Sequence, residues 1–248
     1  MHTAIIKETF QRDGYVLIPA FLDSDEVNEI IKNFERVIEQ VTPNMPAEKM
    51  FFEDKDDPST LKQLIDIHQY DQFFDNVLNK GKFKDIAALL LNDNVVGKTL
   101  EYFNKPPRIG KPTPPHQDGY YFMLKPSVAV TMWMALEPAD EENGCVRYIK
   151  GSHLTGMRPH GRTQTLGFSQ QILDYGPEDI NKEISITAKP GDLLIHHSLT
   201  IHTAGGNKSA TRSRKALGLI YFGLSAREDT EAKAAYQKKL QAERMGKP

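Results

Sequence analysis

The residues in this chain best suited to chemistry are the run His116-Gln117-Asp118-Gly119 and a second histidine far downstream, His202. A histidine and a carboxylate two positions apart on an extended strand point to the same side, because side chains alternate with period 2. They can grip one ion. One remote histidine then completes a set of two imidazoles and one carboxylate, the facial triad of non-haem ferrous sites that keep open positions for reactants. The spacing alone is weak: with 8 His and 33 acidic residues among 248, about one His-x-Asp/Glu pair arises by chance. The elements that would position these side chains must supply the rest.

Hydrophobic residues make up 39% of the chain, enough for one sizeable core, so a single domain over 1–248 is expected. Charge is balanced, 31 basic against 33 acidic residues, and no global field favours nucleic acid or an anionic membrane. A small-molecule substrate suits it better. Cys145 is the single cysteine, which excludes an internal disulfide and a Cys-rich zinc cluster and agrees with a reducing compartment. The N-terminal sequence has no apolar stretch of signal-peptide length and no window approaches a membrane span, so a cytoplasmic protein is expected. Oligomeric state is not legible.

Asp13-Gly14 ahead of Tyr15-Val16-Leu17-Ile18-Pro19 predicts a turn into a short buried strand. Asp23 and Glu26 predict a capping box, followed by Val27, Ile30, Ile31, Phe34, Val37, Ile38 and Val41 at helical spacing. Residues 42–59 read as a covering loop, 60–78 as a helix through Leu61, Leu64, Ile65, His68 and Phe73, and 82–91 as a third helix stopped by Asn92. The period changes at Val95. Between Val128 and Leu136 the faces alternate, Val130, Met132 and Met134 on one and the smaller, mixed set Ala129, Thr131, Trp133 and Ala135 on the other, which suits a pocket lining. Residues 154–183 read as a long loop, followed by short strands near 184–188, 192–196 and 215–222 separated by Gly/Pro turns. Helices followed by many short strands predict a mainly β fold with flanking helices, a jelly roll. Its parts would be a helix-rich 1–94, a jelly-roll core of about 95–224, and a charged C-terminal helix or tail over 225–248.

Taken in order, several pieces resemble the phytanoyl-CoA dioxygenase family of Fe(II)/2-oxoglutarate-dependent oxygenases. They are the Asp-Gly-Tyr-Val-Leu-Ile-Pro run from Asp13, His116-Gln117-Asp118, Glu142-Asn143-Gly144-Cys145, Gly151-Ser152-His153, Pro190-Gly191-Asp192, and the stretch from His202 through Asn207 to Arg214-Lys215-Ala216. The resemblance implies a double-stranded β-helix of the jelly-roll, cupin-like type. Fe(II) would be held by His116, Asp118 and His202, with 2-oxoglutarate as cosubstrate and O2 as oxidant. It gives Arg214 the far carboxylate of 2-oxoglutarate, for which a planar, permanently charged fork is the right partner. Arg212 is the competitor, since the family's usual spacing from the second histidine falls between the two. Lys62 and Trp133 resemble further cosubstrate-binding positions. Ala204 stands where the family has a serine. Related halogenases carry a small residue at the carboxylate position, so Asp118 favours hydroxylation, desaturation or cyclisation, with release of succinate and CO2.

Other candidates read as structural. His196 and His197 are adjacent on a strand and point to opposite faces, His197 as a core residue and His196 as a surface residue or one behind the ligands. His153 would cap a turn, His68 and His160 would be surface or satisfied residues, and Cys145 a small buried hydrophobe. Tyr120 and Tyr121 would pack. Arg158 and Arg162 would be solvated, with a clamp on an anionic substrate as the rival reading. Two rival functions remain at this stage: a jelly-roll metalloenzyme that does not use 2-oxoglutarate, and a non-catalytic small-molecule-binding jelly roll.

Overall fold

A computed structural model describes residues 3–163 and 170–244 of the chain. Its centre is a seven-stranded antiparallel sheet in the order Tyr15–Ile18, Leu193–His197, Ala129–Ala135, Ala216–Gly223, Val95–Phe103, Leu61–Leu64, Met50–Phe52. Facing it is a four-stranded sheet in the order Glu183–Ile186, Val146–Ile149, His202–Ala204, Thr113–His116. Strands distant in sequence lie side by side in both sheets, as a jelly roll requires. The architecture expected from the sequence is the one found.

Alternation along the strands builds two separate apolar layers. Val130, Met132 and Met134, with Leu193, Ile195, Leu217, Leu219 and Tyr221, point away from the smaller sheet into a core shared with the helices. Four helices cover that face: α1 (Thr3–Asp13), α2 (Ser24–Arg36), α3 (Gln72–Asn79) and α4 (Lys82–Leu91). Each contributes buried side chains at helical spacing, such as Ile6 and Phe10, Val27, Ile30 and Phe34, Phe74 and Leu78, and Phe83, Ala87 and Leu90. The α2 capping box forms as expected: Asp23 accepts from the backbone of Asp25 and Glu26, and Glu26 reaches back to the Asp23 amide. The opposite residues of the same strands, Trp133, Ala135, Leu194 and Ala216, face Val146 and Tyr148 across the sandwich. That interior is where a site can form.

The turns that join the sheets are fixed by a few side chains. Asn143 is fully buried; its side-chain oxygen accepts from the Asp140 amide and its nitrogen donates to the carbonyls of Pro138 and Ser213. Gly144 beside it has φ +88°, and a Cβ there would lie 2.3 Å from the Gly205 carbonyl oxygen, so only glycine fits. Asn207 donates to the carbonyls of Lys105 and Arg212. Together the two asparagines clamp the backbone that enters the strand Ala216–Gly223.

Two expectations are corrected. Residues 60–78 are not one helix: Leu61–Leu64 is a strand, Ile67–Gln69 a 3-10 turn, and α3 begins only at Gln72, capped by Asp71. The spacing of Leu61, Leu64, Ile65 and His68 imitates a helical stripe, but the chain pairs with Val95–Phe103 instead. The stretch 154–183 is not a bare loop either, since His160–Arg162 pairs with Gln170–Ile172 and Pro177–Ile180 forms a helical turn; residues 164–169 of it lie outside the described residues. The covering segment 42–59 likewise carries a strand, Met50–Phe52. Of the helix or tail expected at the C-terminus, a helix spans Thr230–Arg244.

If the two faces of Ala129–Ala135 do separate duties, a core truncation should harm stability and spare the interior. Met132→Ala is expected to lower unfolding free energy in urea by about 2–5 kcal/mol while the folded protein still binds divalent metal.

Candidate functional site

His116 and His202 stand directly opposite one another in register on adjacent strands of the smaller sheet, with ring centroids 4.1 Å apart. Asp118 is not on that strand. The strand ends at His116, and Asp118, at φ −58° and ψ −32°, opens the helical turn Gly119–Phe122. The expected strand geometry is therefore corrected, yet the three side chains converge. Asp118 Oδ1 lies 3.4 Å from His116 Nε2 and 3.7 Å from His202 Nε2, and one ligand atom from each residue falls within 4.8 Å of the others. Gln117 holds the bend. It is fully buried, its side-chain amide donates to the carbonyls of Gly156 and Leu199, and its backbone amide donates to His160 Nε2.

Local hydrogen bonds set the donor atoms. His116 Nδ1 lies 2.8 Å from the Pro114 carbonyl and His202 Nδ1 lies 3.1 Å from that of Thr200. A carbonyl only accepts, so each Nδ1 carries hydrogen and each Nε2 presents a lone pair. Burial, joined by repulsion from His116 and His196, holds His202 well below the ordinary histidine range and so neutral. Asp118 is the reverse case. Burial pushes its carboxyl up, but His202, His116 and His196 together hold it well below the usual carboxylate range. The result is an anion flanked by two imidazoles, with oxygen Oδ1 turned to both. Ligand bonds of about 2.1 Å at right angles would place neighbouring donors about 3 Å apart, close to the spacing found. The donor set and its spacing fit divalent iron.

The other oxygen of Asp118 is already taken. Oδ2 accepts from Thr131 Oγ1 at 2.5 Å and lies 3.0 Å from His196 Nε2, while His196 Nδ1 is 2.9 Å from the Tyr148 hydroxyl. His196 is therefore not a surface residue but the brace behind the carboxylate, in register opposite Thr131. His197, on the other face, packs near Phe10 and His153, and burial pushes it down to about 4. His153 bonds the Gln11 carbonyl, and His68 accepts from the Leu100 amide.

A cavity of about 250 Å³ opens from the triad between the two sheets. Trp133 and Arg214 line it, the guanidinium carbon 5.2 Å from the Trp133 ring centre. Arg214 is buried, and its Nε has no hydrogen-bond partner among the described residues. Burial lowers it to about 10, so it keeps its charge near neutrality. A buried arginine that lines a cavity and has an unpartnered Nε fits a dicarboxylate cosubstrate. Arg212 instead spans Asp140 and Glu142 at the surface. Ala204 lines the cavity without offering a hydroxyl. Lys62 does not line it: the strand turns Gln63 to the cavity, while Lys62 Nζ lies 3.4 Å from Glu53 Oε1. Arg158 pairs with Asp174 and Asp179 and so serves the fold rather than an anionic substrate.

The hydrogen-bonded cavity pair Gln63 and Glu101 is among the lining that sequence reasoning missed. Gln63 Nε2 donates to Glu101 Oε2 at 2.8 Å. Burial, aided by Asp66 and Asp118, pushes the Glu101 carboxyl up to about 7 against the Gln63 bond. A charged residue at mid-strand, on the alternation shared with Phe103, was the available signal.

Comparison with known proteins points one way. The sequence model described as phytanoyl-CoA dioxygenase (PhyH) matches residues 10–216. The chain is 26% identical over 243 residues to the peroxisomal phytanoyl-CoA dioxygenase of Mus musculus, covering 88% of this chain and 68% of that protein. It is 29% identical over 244 residues to the phytanoyl-CoA dioxygenase of Arabidopsis thaliana, with 85% of each covered. Among solved structures it is similar in fold to the epimerase SnoN in complex with Fe3+, alpha ketoglutarate and nogalamycin RO, with TM-score 0.72, 23% identity, and 91% and 85% of the two chains covered. EctD from S. alaskensis with bound Fe gives TM-score 0.75 at 20% identity, covering 91% and 78%. No helix among the described residues is long and apolar enough to cross a membrane.

The brace on Asp118 makes a prediction of its own. His196→Ala is expected to weaken Fe(II) binding about 10–100-fold in a competition titration, whereas His197→Ala, on the other face, leaves it unchanged.

Proposed function

The chain belongs to the phytanoyl-CoA dioxygenase family, whose members are non-haem iron, 2-oxoglutarate-dependent dioxygenases, and on that premise we propose that it hydroxylates a small molecule. In this reading His116, Asp118 and His202 hold the iron, and Arg214 holds the far carboxylate of 2-oxoglutarate. One observation carries it: a triad of converging donor atoms and a buried arginine with an unpartnered Nε open on the same cavity. Iron and 2-oxoglutarate, when bound, supply the oxidising power for O2-dependent attack on a C–H bond, with succinate and CO2 released.

The protein's own groups do the rest. The two imidazoles are fixed through their Nδ1 atoms, and Thr131 and His196 hold Oδ2 of Asp118 so that Oδ1 alone is presented. Ligands fixed in this way cost little further ordering when metal arrives. Arg214 is held from behind, since Asn143 ties the Ser213 carbonyl and the Arg214 backbone exchanges bonds with Lys105. Trp133 offers its face to the guanidinium, a favourable cation–π contact that also sets the direction of the fork. Phe103, Phe122, Val146 and Ile220 supply apolar wall that excludes water from the reacting groups. Hydroxylation is preferred over halogenation because Asp118 occupies the carboxylate position. Lys62 is left out of the cosubstrate site, because Glu53 holds it.

Anaerobic addition of Fe(II) and 2-oxoglutarate should produce the weak visible charge-transfer band of a chelate. Asp118→Ala and His202→Ala should each abolish it. Absence of the band in the unmodified protein, or its survival in both variants, contradicts the assignment. Arg214→Ala should raise the 2-oxoglutarate concentration needed for the band by about tenfold or more, with Arg212→Ala close to the unmodified protein; the reverse order moves the role to Arg212.

A further inference from the structure

The helix Thr230–Arg244 is anchored beside the helical turn that Asp118 opens. Its start is tied down at three points. The short strand Arg227–Glu228 pairs with Leu124–Lys125, the Asp229 amide donates to the Met123 carbonyl, and the Asp229 carboxylate bonds Lys125 Nζ and the Ala232 amide. Ala232, Ala235 and Tyr236, at helical spacing, then face Tyr120 and Met157 across a second cavity, of about 490 Å³. Tyr120 belongs to the single helical turn Gly119–Phe122 and borders this open space, so close packing does not hold it on that side. Tyr236 supplies the contact there. The two rings meet edge to face, with centres 6.0 Å apart and planes at 88°.

From Tyr120 the contacts run inward. Its ring stacks on His160, with centres 4.4 Å apart and planes at 17°. His160 Nδ1 lies 2.8 Å from the Arg158 carbonyl, so that nitrogen donates and Nε2 accepts. What Nε2 accepts is the backbone N–H of Gln117, the residue between His116 and Asp118. A ring N–H and a ring lone pair both lie in the imidazole plane, so these bonds hold the ring along that plane and resist a tilt out of it only weakly. The stack on Tyr120 resists the tilt. A tilted His160 would release the amide of fully buried Gln117 with no water to replace the bond, and would loosen the peptide that sets His116 against Asp118. Tyr120 also meets Tyr121 edge to face, and Tyr121 meets the His116 ring in the same way.

We propose that Tyr236 is a positioning residue for the iron site: through Tyr120 it fixes the His160 ring, and through His160 the peptide that joins His116 to Asp118. The proposal rests on the iron reading above and is tested so that the two can fail separately. Exchange of the Gln117 amide hydrogen with solvent deuterium is followed by NMR in the metal-free protein, with the Leu219 amide in the large sheet as reference. Fe(II) affinity is measured by anaerobic competition titration, well below the melting temperature. Tyr236→Ala should speed Gln117 exchange and weaken Fe(II) binding, each by about threefold or more, with Leu219 unchanged. Tyr236→Phe, which keeps the ring, should restore both, and Lys238→Ala, exposed on the same helix, should alter neither. In a Tyr120→Leu protein, where the relay is already cut, Tyr236→Ala should add nothing further. Should Tyr236→Ala fail to fold, Tyr236→Leu carries the same expectation. Unchanged Gln117 exchange in the folded variant overturns the proposal. So does faster exchange with unchanged Fe(II) affinity, or a full effect of Tyr236→Ala in the Tyr120→Leu background. If the unmodified protein takes up no Fe(II), the iron reading fails, and Gln117 exchange still decides whether Tyr236 holds the peptide.

Discussion

The division of labour between the two oxygens of Asp118 is the constraint on which the rest of the site depends. Oδ2 is bonded from behind by Thr131 and His196, so the carboxylate cannot rotate, and Oδ1 faces the two histidines. That brace exists only because the strands Ala129–Ala135 and Leu193–His197 pair with Thr131 opposite His196. A slip of one residue would turn both to the helical core. Tyr148 extends the chain of bonds to the facing sheet, where His202 stands beside it in register. One antiparallel register thus fixes the carboxylate, its brace and one of the histidines together.

Burying a carboxylate among three imidazoles is expensive unless every polar atom is paired. Here the pairing is nearly complete before metal arrives. His116 and His202 spend their Nδ1 atoms on backbone carbonyls, His196 bridges Tyr148 and Asp118, and Tyr15 stacks on Tyr148 at 4.4 Å. The Nε2 atoms of His116 and His202 and Oδ1 of Asp118 turn toward one another. They are the set a facial triad offers. On the other side of the large sheet, the layer of Met132, Met134, Ile195 and Leu217 against the helices supplies the apolar burial that keeps the sheet in place.

Much of this was legible in the sequence where local pattern and global fold agree. The capping box at Asp23, the stop at Asn92 and the two faces of 128–136 follow from short-range rules, and the structure contains all three. The jelly roll follows from helices giving way to many short strands, and the family and its cosubstrate from the order of six short motifs. Legibility failed where two rules compete. Leu61–Leu64 lies in an apolar stretch whose spacing suits a helix, and only pairing with a distant strand decides otherwise. The strand also decides the side: alternation gives the cavity to Gln63 rather than to Lys62. His116 and Asp118 were placed on one strand, whereas buried Gln117 bends the chain between them. Parity separated His196 from His197, but which of them faced inward depends on long-range register. Glu101 was passed over because a glutamate in a strand reads as solvent-facing until the facing sheet is known.

On the proposed reading one iron sits between His116, Asp118 and His202, with His196 outside the coordination sphere. Anomalous diffraction at the iron absorption edge, from crystals grown anaerobically with Fe(II), tests it most directly. One peak per chain is expected, bonded to Nε2 of His116, Nε2 of His202 and Oδ1 of Asp118, with His196 still hydrogen-bonded to Oδ2. A peak bonded to His196, or no peak at the three residues in protein that has taken up iron, would contradict it.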